Sequence, residues 1–340
     1  MKKLFTWLKY LAFFAVGVLL LWLAFKDQNL EEIMDQFKAA RYEWVILSIT
    51  LMTLSHVLRA LRWNMLIKPL GFDISLKNSF YAVLVGYLAN LAIPRMGEVS
   101  RCVVLNRTNR VPLNQLIGTV VTERVFDFIS LVTIVALVIL LQFDILSDFL
   151  SVKLTSFFSG ESFLNQNKLY FLVGLILIVI IAFLFLKLGS KHKGNPLMIK
   201  VRILLKGFYK GVQSIRKMEK GYLFYLHTIG IWILYWLATY VVFFSFDSTS
   251  VLNLVNSLVI FVIGSLGFIM PVQGGIGTFH WAVKEAMKIY SIPETDALAY
   301  ATILHGAQAL IIIVLGGISL LLLSIQLRSI KNKNHGPQKA

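Results

Sequence analysis

Asn90-Leu91-Ala92-Ile93-Pro94-Arg95-Met96-Gly97-Glu98-Val99-Ser100-Arg101 interrupts an apolar run that begins near Phe80. Proline and glycine break a helix, and three charges follow within the next seven residues with no long polar loop between them. Non-helical backbone at membrane depth is tolerated only where it is buried in protein or lines a wet cavity. The stretch therefore reads as the tip of a re-entrant hairpin, with Pro94 and Gly97 as its breaks. Gly264–Gly277 (GSLGFIMPVQGGIG) repeats the same grammar, with Pro271 and Gly277 as breaks. Two interrupted apolar segments at corresponding places in two halves mark a transporter-type binding site.

Composition sets the frame. Hydrophobic residues make up 57% of 340 residues, and the mean hydropathy is +0.75. Such a chain is a polytopic, all-α integral membrane protein. The formal charge of +16 reflects Lys and Arg gathered on cytoplasmic loops rather than a nucleic-acid partner. Cys102 stands alone, which excludes an intrachain disulfide and a cysteine-based metal cluster. No metal or cofactor is expected. Leu4–Phe25 is too long for a signal peptide and lacks a small-x-small cleavage pattern, so it reads as a retained first span.

Full spans are expected at Leu4–Phe25, Trp44–Met65, Ile117–Phe143, Leu169–Leu186, Tyr222–Phe246 and Ala297–Leu323. Residues 26–43 have no basic excess and belong outside, with Leu30, Ile33, Met34 and Phe37 at the spacing of an interfacial amphipathic helix. Loop 144–168 is mildly acidic and also belongs outside. Residues 187–220 hold ten Lys or Arg against Glu219, and this basic loop is the strongest cytoplasmic signal. The membrane domain covers 1–331, with repeat one at 1–143 and repeat two at 169–325, and a polar, disordered tail at 332–340. Each half reads span, span, hairpin, span, and the basic loops give the halves opposite orientations. That is an inverted-topology repeat of six spans and two hairpins. Eight ordinary spans remain the alternative, and both versions put the two termini in the cytoplasm.

Pro94-Arg95-Met96-Gly97-Glu98-Val99-Ser100-Arg101, then Glu123-Arg124 with Asp127, then Pro271 through Gly274-Gly275-Ile276-Gly277, together resemble the membrane region of lysylphosphatidylglycerol synthases, a flippase-like family. Arg59, Arg62 and Trp63 match its basic pattern at the end of the second span. The resemblance runs over nearly the whole chain. It implies a bacterial cytoplasmic membrane protein that moves a lipid between leaflets. In the full synthases such a region is joined to a soluble aminoacyl-transfer domain, which these residues do not include, so lysyl transfer is not implied. Family members often carry an acid just after the second glycine loop and an arginine in the last span. This chain has His280 and His305 near those places.

The candidate substrate residues are Arg59, Glu98, Arg101, Glu123, Arg124, Asp127, Gly274, Gly275, His280 and His305. Arginine and freed backbone N–H groups suit a phosphate, and carboxylates suit an amine or a proton. For Glu98 and Arg101 the competing reading is a solvated cytoplasmic turn. For Glu123, Arg124 and Asp127 it is a structural ion cluster, since three unpaired charges mid-span are too costly. His56, Arg59 and Arg62 recur every third residue as a basic stripe, for which snorkelling suits Arg62 and not His56. Gly274 and Gly275 suit a phosphate cradle or a tight turn, and the two histidines suit proton coupling or packing. No catalytic motif stands out: Gly264-Ser265-Leu266-Gly267 is one position off the Gly-x-Ser-Gly order of an intramembrane protease loop. The expected function is transport of a phospholipid, or of an aminoacylated or polyprenyl-linked lipid. The alternatives are a membrane-embedded lipid-modifying enzyme and a non-catalytic partner of a separate transferase.

Overall fold

The structure is a computed structural model that describes residues 2–26, 28–143, 218, 220–270 and 272–334. The described residues are helices and turns without a strand. They are α1 (Lys2–Phe25), α2 (Leu30–Ala39), α3 (Tyr42–Ile67), α4 (Leu76–Ala92), α5 (Met96–Asn109), α6 (Leu113–Leu141), α7 (Gly221–Val241), α8 (Leu254–Ile269), α9 (Thr278–Lys288) and α10 (Glu294–Asn334). The chain divides into two compact units, Met1–Val120 with Lys217–Ala340, and Val121–Arg216. The expected loop 144–168, the span Leu169–Leu186, the basic loop 187–220 (but for Met218 and Lys220) and the break residue Pro271 lie outside the described residues.

Four of the described helical segments are long and apolar enough to cross a bilayer: Tyr42–Leu70, Leu113–Leu141, Gly221–Ser245 and Glu294–Arg328. All four begin slightly before the expected span. Tyr42–Leu70 and Glu294–Arg328 also run past its end, while Leu113–Leu141 and Gly221–Ser245 stop just short of Phe143 and Phe246. Helix ends follow capping and turn geometry as well as apolar length. The last helix runs on to Asn334, three residues into the stretch expected to be a disordered tail.

In the first unit, α3 and α7 are the principal pair. The Ser48 hydroxyl donates to the Ala238 carbonyl at 2.7 Å, and Gly230 leaves room for Leu58. α7 is tied onward: the Trp236 indole N–H donates to Ser257 Oγ at 2.8 Å on α8, and Tyr300 OH of α10 donates to the Thr239 carbonyl at 2.7 Å. Such side-chain bonds matter in a bilayer, where lipid offers backbone and hydroxyl groups no partner. α2 is capped by Asn29, whose side chain accepts from Glu31 N. It buries Ile33 and leaves Leu30 and Met34 exposed, the pattern expected of an interfacial helix.

α4 and α5 form the first hairpin. Ser75 caps α4, which spans 17 residues, about 25 Å and short of the ~30 Å hydrocarbon core. Ile93, Pro94 and Arg95 make the turn, with Arg95 in the left-handed region at φ 66°. Gly97, expected to break the chain, instead lies inside the first turn of α5. Its role is closeness. A Cβ there would fall into the Gly86 carbonyl and the Asn90 side chain, and the Asn90 carboxamide accepts from Gly97 N at 2.7 Å.

α8 and α9 form the second hairpin, of 16 and 11 residues. Asn253 caps α8 by accepting from Val255 N and Asn256 N, while Asn256 accepts from Asn253 N. Between the helices Gly274, Gly275 and Gly277 all take positive φ. Gly277 also lies against the backbone of Gly17 and Leu21 on α1, where a side chain has no room. The tips of the two hairpins meet, since Leu91 of α4 reaches the Gly274 position. α10 crosses α4 where Gly316 faces Leu84 and Leu88.

Candidate functional site

The basic stripe of α3 points inward. His56, Arg59 and Arg62 are all buried. Arg62, the residue best suited to snorkelling, is fully buried and donates from Nη1 to Thr228 Oγ1 at 3.1 Å, with its guanidinium 5.7 Å from the Phe224 ring centre. Arg59 donates from Nε to Tyr235 OH at 3.3 Å, and its guanidinium lies 5.9 Å from that ring's centre. α7 thus supplies hydroxyls and π faces for both cations.

α5 brings a third buried cation to the same helix. The Arg101 guanidinium stacks 4.6 Å from the Trp63 ring centre, and the Trp63 indole donates to Thr119 Oγ1 at 2.9 Å. Trp63 is fully buried in a cluster with Ala60, Ile67, Val83, Leu105 and Leu116. Glu98, one turn before Arg101, is half-buried. Arg101 is therefore an interior residue, not a charge on a solvated turn.

Glu123, Arg124 and Asp127 belong to the second unit. Arg124 Nη1 lies 3.6 Å from Asp127 Oδ2, as the i, i+3 spacing led one to expect. Glu123 and Asp127 are buried, and Arg124 is exposed.

The second glycine loop gathers both expected histidines. His305 Nε2 is 2.8 Å from the Gly274 carbonyl oxygen, and the Gly277 N–H donates to His280 Nδ1 at 3.4 Å. The two imidazoles are 4.8 Å apart, and His305 stacks on Phe279 at 5.5 Å. Gly275 N and Ile276 N donate to Val272 O and Gln273 O. With these N–H groups directed into the turn itself, the loop has the geometry of a tight, packed turn rather than an open phosphate cradle.

Sequence reasoning passed over Tyr87, Thr228 and Tyr235, which read as unremarkable residues of apolar helices. The signal available was their register: residues 228 and 235 are seven apart and share a helical face. It also undervalued Lys284, which is buried. Its ammonium bonds to the Ala24 carbonyl at 3.3 Å and to Glu294 at 3.0 Å, and Lys288 bonds to the same carboxylate and to Glu285. Burial works to lower the pKa of Lys288, but the hydrogen bonds and charges of Glu294 and Glu285 hold it above the ordinary lysine value. Glu294→Gln leaves the Lys284 ammonium on the Ala24 carbonyl. It is expected to cost about 1–3 kcal/mol, read as a lower melting temperature in detergent. The double variant Lys284→Met, Glu294→Gln should recover most of that loss.

Long apolar helices, buried arginines within one of them and two hairpins of shorter helices meeting at their tips define a multi-pass membrane protein with a polar interior. Residues 10–316 match the family model described as the lysylphosphatidylglycerol synthase TM region, and the chain belongs to that family. Among curated proteins it is 26% identical over 262 residues to a UPF0104 membrane protein of Methanothermobacter thermautotrophicus, covering 72% of this chain and 75% of that one. A UPF0104 membrane protein of Methanocaldococcus jannaschii is 39% identical over 88 residues, 25% of this chain and 26% of its own length. A second from that organism is 24% identical over 239 residues, 68% of this chain and 92% of its own length. No solved structure matches.

Proposed function

We propose that the protein is a lipid transporter of the flippase-like class, carrying a phospholipid or a modified lipid across the cytoplasmic membrane with both termini on the cytoplasmic side. The observation that supports this most is the burial of Arg59, Arg62 and Arg101 against membrane-crossing helices and a hairpin whose helices fall short of the hydrocarbon thickness. Ionisable groups inside a membrane domain are costly, and transport paths are where they are retained. The paired hairpins fit an inverted repeat, in which one half rocks against the other around a fixed site. In this reading Arg59 and Arg101 of the first unit attract the phosphate. Glu98 balances that charge, and within the second unit Arg124 pairs with Asp127, which with Glu123 takes an amine or a proton. His280 and His305 hold the second hairpin tip.

The test is translocation in proteoliposomes that contain this protein alone, with head-group-labelled lipids quenched from outside. Wild type is expected to speed loss of the inner-leaflet signal for phosphate-bearing lipids. Glu98→Gln and Arg124→Ala should each slow that loss at least tenfold. Wild-type vesicles that match empty ones across the lipid panel would overturn autonomous transport and favour service to a separate transferase.

A further inference from the structure

The stripe on α3 contains an anomaly at His56. The residue is 3% exposed, and neither ring nitrogen has a hydrogen-bond partner among the described residues. Imidazole always presents at least one N–H. Burying it unpartnered has a cost that leucine or phenylalanine at the same place would avoid.

What surrounds it is not apolar. The His56 ring packs 4.6 Å from the ring of Tyr87 on α4 and 6.4 Å from that of Tyr235 on α7. The two tyrosine hydroxyls face each other at 3.2 Å, and Arg59, one turn along α3, donates to Tyr235 OH. Hydroxyl pairs usually sit at about 2.7–2.8 Å, so this contact is a weak one. Both tyrosines are half-buried while the His56 nitrogens are sealed from solvent. The Tyr87–Tyr235 contact is thus the outermost part of a cluster whose hydrogen-bonding capacity is unused at its inner end.

We propose that His56, Arg59, Tyr87 and Tyr235 form the seat of a phosphoryl oxyanion carried by a membrane phospholipid. Three helices bring together a guanidinium, an imidazole N–H and two phenolic O–H groups, all able to donate to one anion. Charge-assisted bonds to phosphate are about twice as strong as neutral ones. The phosphate parts the weak hydroxyl pair and supplies the acceptor that His56 lacks. This deepens the transport reading and rests on it for the lipid nature of the ligand. The seat itself is testable by binding alone.

The experiment uses the full chain in detergent. Melting temperature is followed against short-chain phosphatidic acid, diacylglycerol with the same acyl chains, and inorganic phosphate. Phosphatidic acid is expected to raise the melting temperature of wild type in a saturable way, and diacylglycerol to leave it unchanged. An equal shift with inorganic phosphate would overturn the lipid as the source of the anion. His56→Leu and Tyr235→Phe should each weaken phosphatidic acid binding at least tenfold, while unliganded His56→Leu melts no lower than wild type. Unchanged binding by His56→Leu would make it a packing residue and sink the seat. Should that variant not fold, Tyr235→Phe, which removes only a hydroxyl, decides by the same criterion. Wild-type translocation by His56→Leu would sink the seat and leave transport standing. Absent translocation by a wild type that binds phosphatidic acid, with that binding lost in His56→Leu, would do the reverse.

Discussion

Gly97→Ala will not give a stably folded protein. The added methyl meets the Gly86 carbonyl oxygen and the Asn90 side chain. Gly86 is itself in the middle of α4, where backbone has nowhere to retreat. Overpacking against flexible side chains costs about 1–3 kcal/mol. Here the obstacle includes backbone, so the upper end of that range or beyond is expected, together with loss of the Asn90 bond to Gly97 N. The checks are monodisperse yield and melting temperature in detergent. Gly317→Ala is the control: no atom lies within 4 Å of its added methyl, and the change favours helix by up to about 1 kcal/mol. A Gly97→Ala protein that melts like wild type would show that the hairpin does not close as described.

Trp63→Ala should be as severe for a different reason. Trp63 is fully buried, donates to Thr119 and carries the Arg101 guanidinium on its face. Truncating a buried tryptophan costs about 3–5 kcal/mol, and here it also strips a buried cation of its π surface. Trp63→Phe keeps a ring under Arg101 and loses the indole N–H, so about 1–2 kcal/mol is expected from the orphaned Thr119 contact and the smaller volume. Chemical denaturation of the two variants beside wild type checks the order. Equal losses for alanine and phenylalanine would mean that the hydrogen bond, not the ring, is what matters.

The fold was legible wherever one physical signal dominated. Hydropathy placed α3, α6, α7 and α10 within a few residues, because a bilayer demands an apolar length that chance composition seldom meets. Pro94 and the glycine loop at Gly274–Gly277 marked the interruptions correctly. Gly97 was misassigned: a glycine that breaks a helix and a glycine that lets two helices touch look the same in sequence. The site was legible in its charges and illegible in its partners. Arg59, Arg62 and Arg101 are conspicuous in apolar stretches. That Tyr235, Thr228 and Trp63 receive them depends on the rotation of α7 and α5 about their axes, which low-contrast apolar helices do not encode. Likewise the N–H groups of the glycine loop looked available until the turn was seen to engage them.

α10 touches both hairpins. It holds the second through His305 at the Gly274 carbonyl and the first through Gly316 against Leu84 and Leu88. The two grips are eleven residues apart, about 16 Å along one continuous helix. A rod clamped at two points transmits displacement: tilting either hairpin must slide or turn the last helix, and so load the other. The terminal helix is then the connecting rod of any rocking motion, and a substitution at Gly316 should be felt at the far tip without touching it.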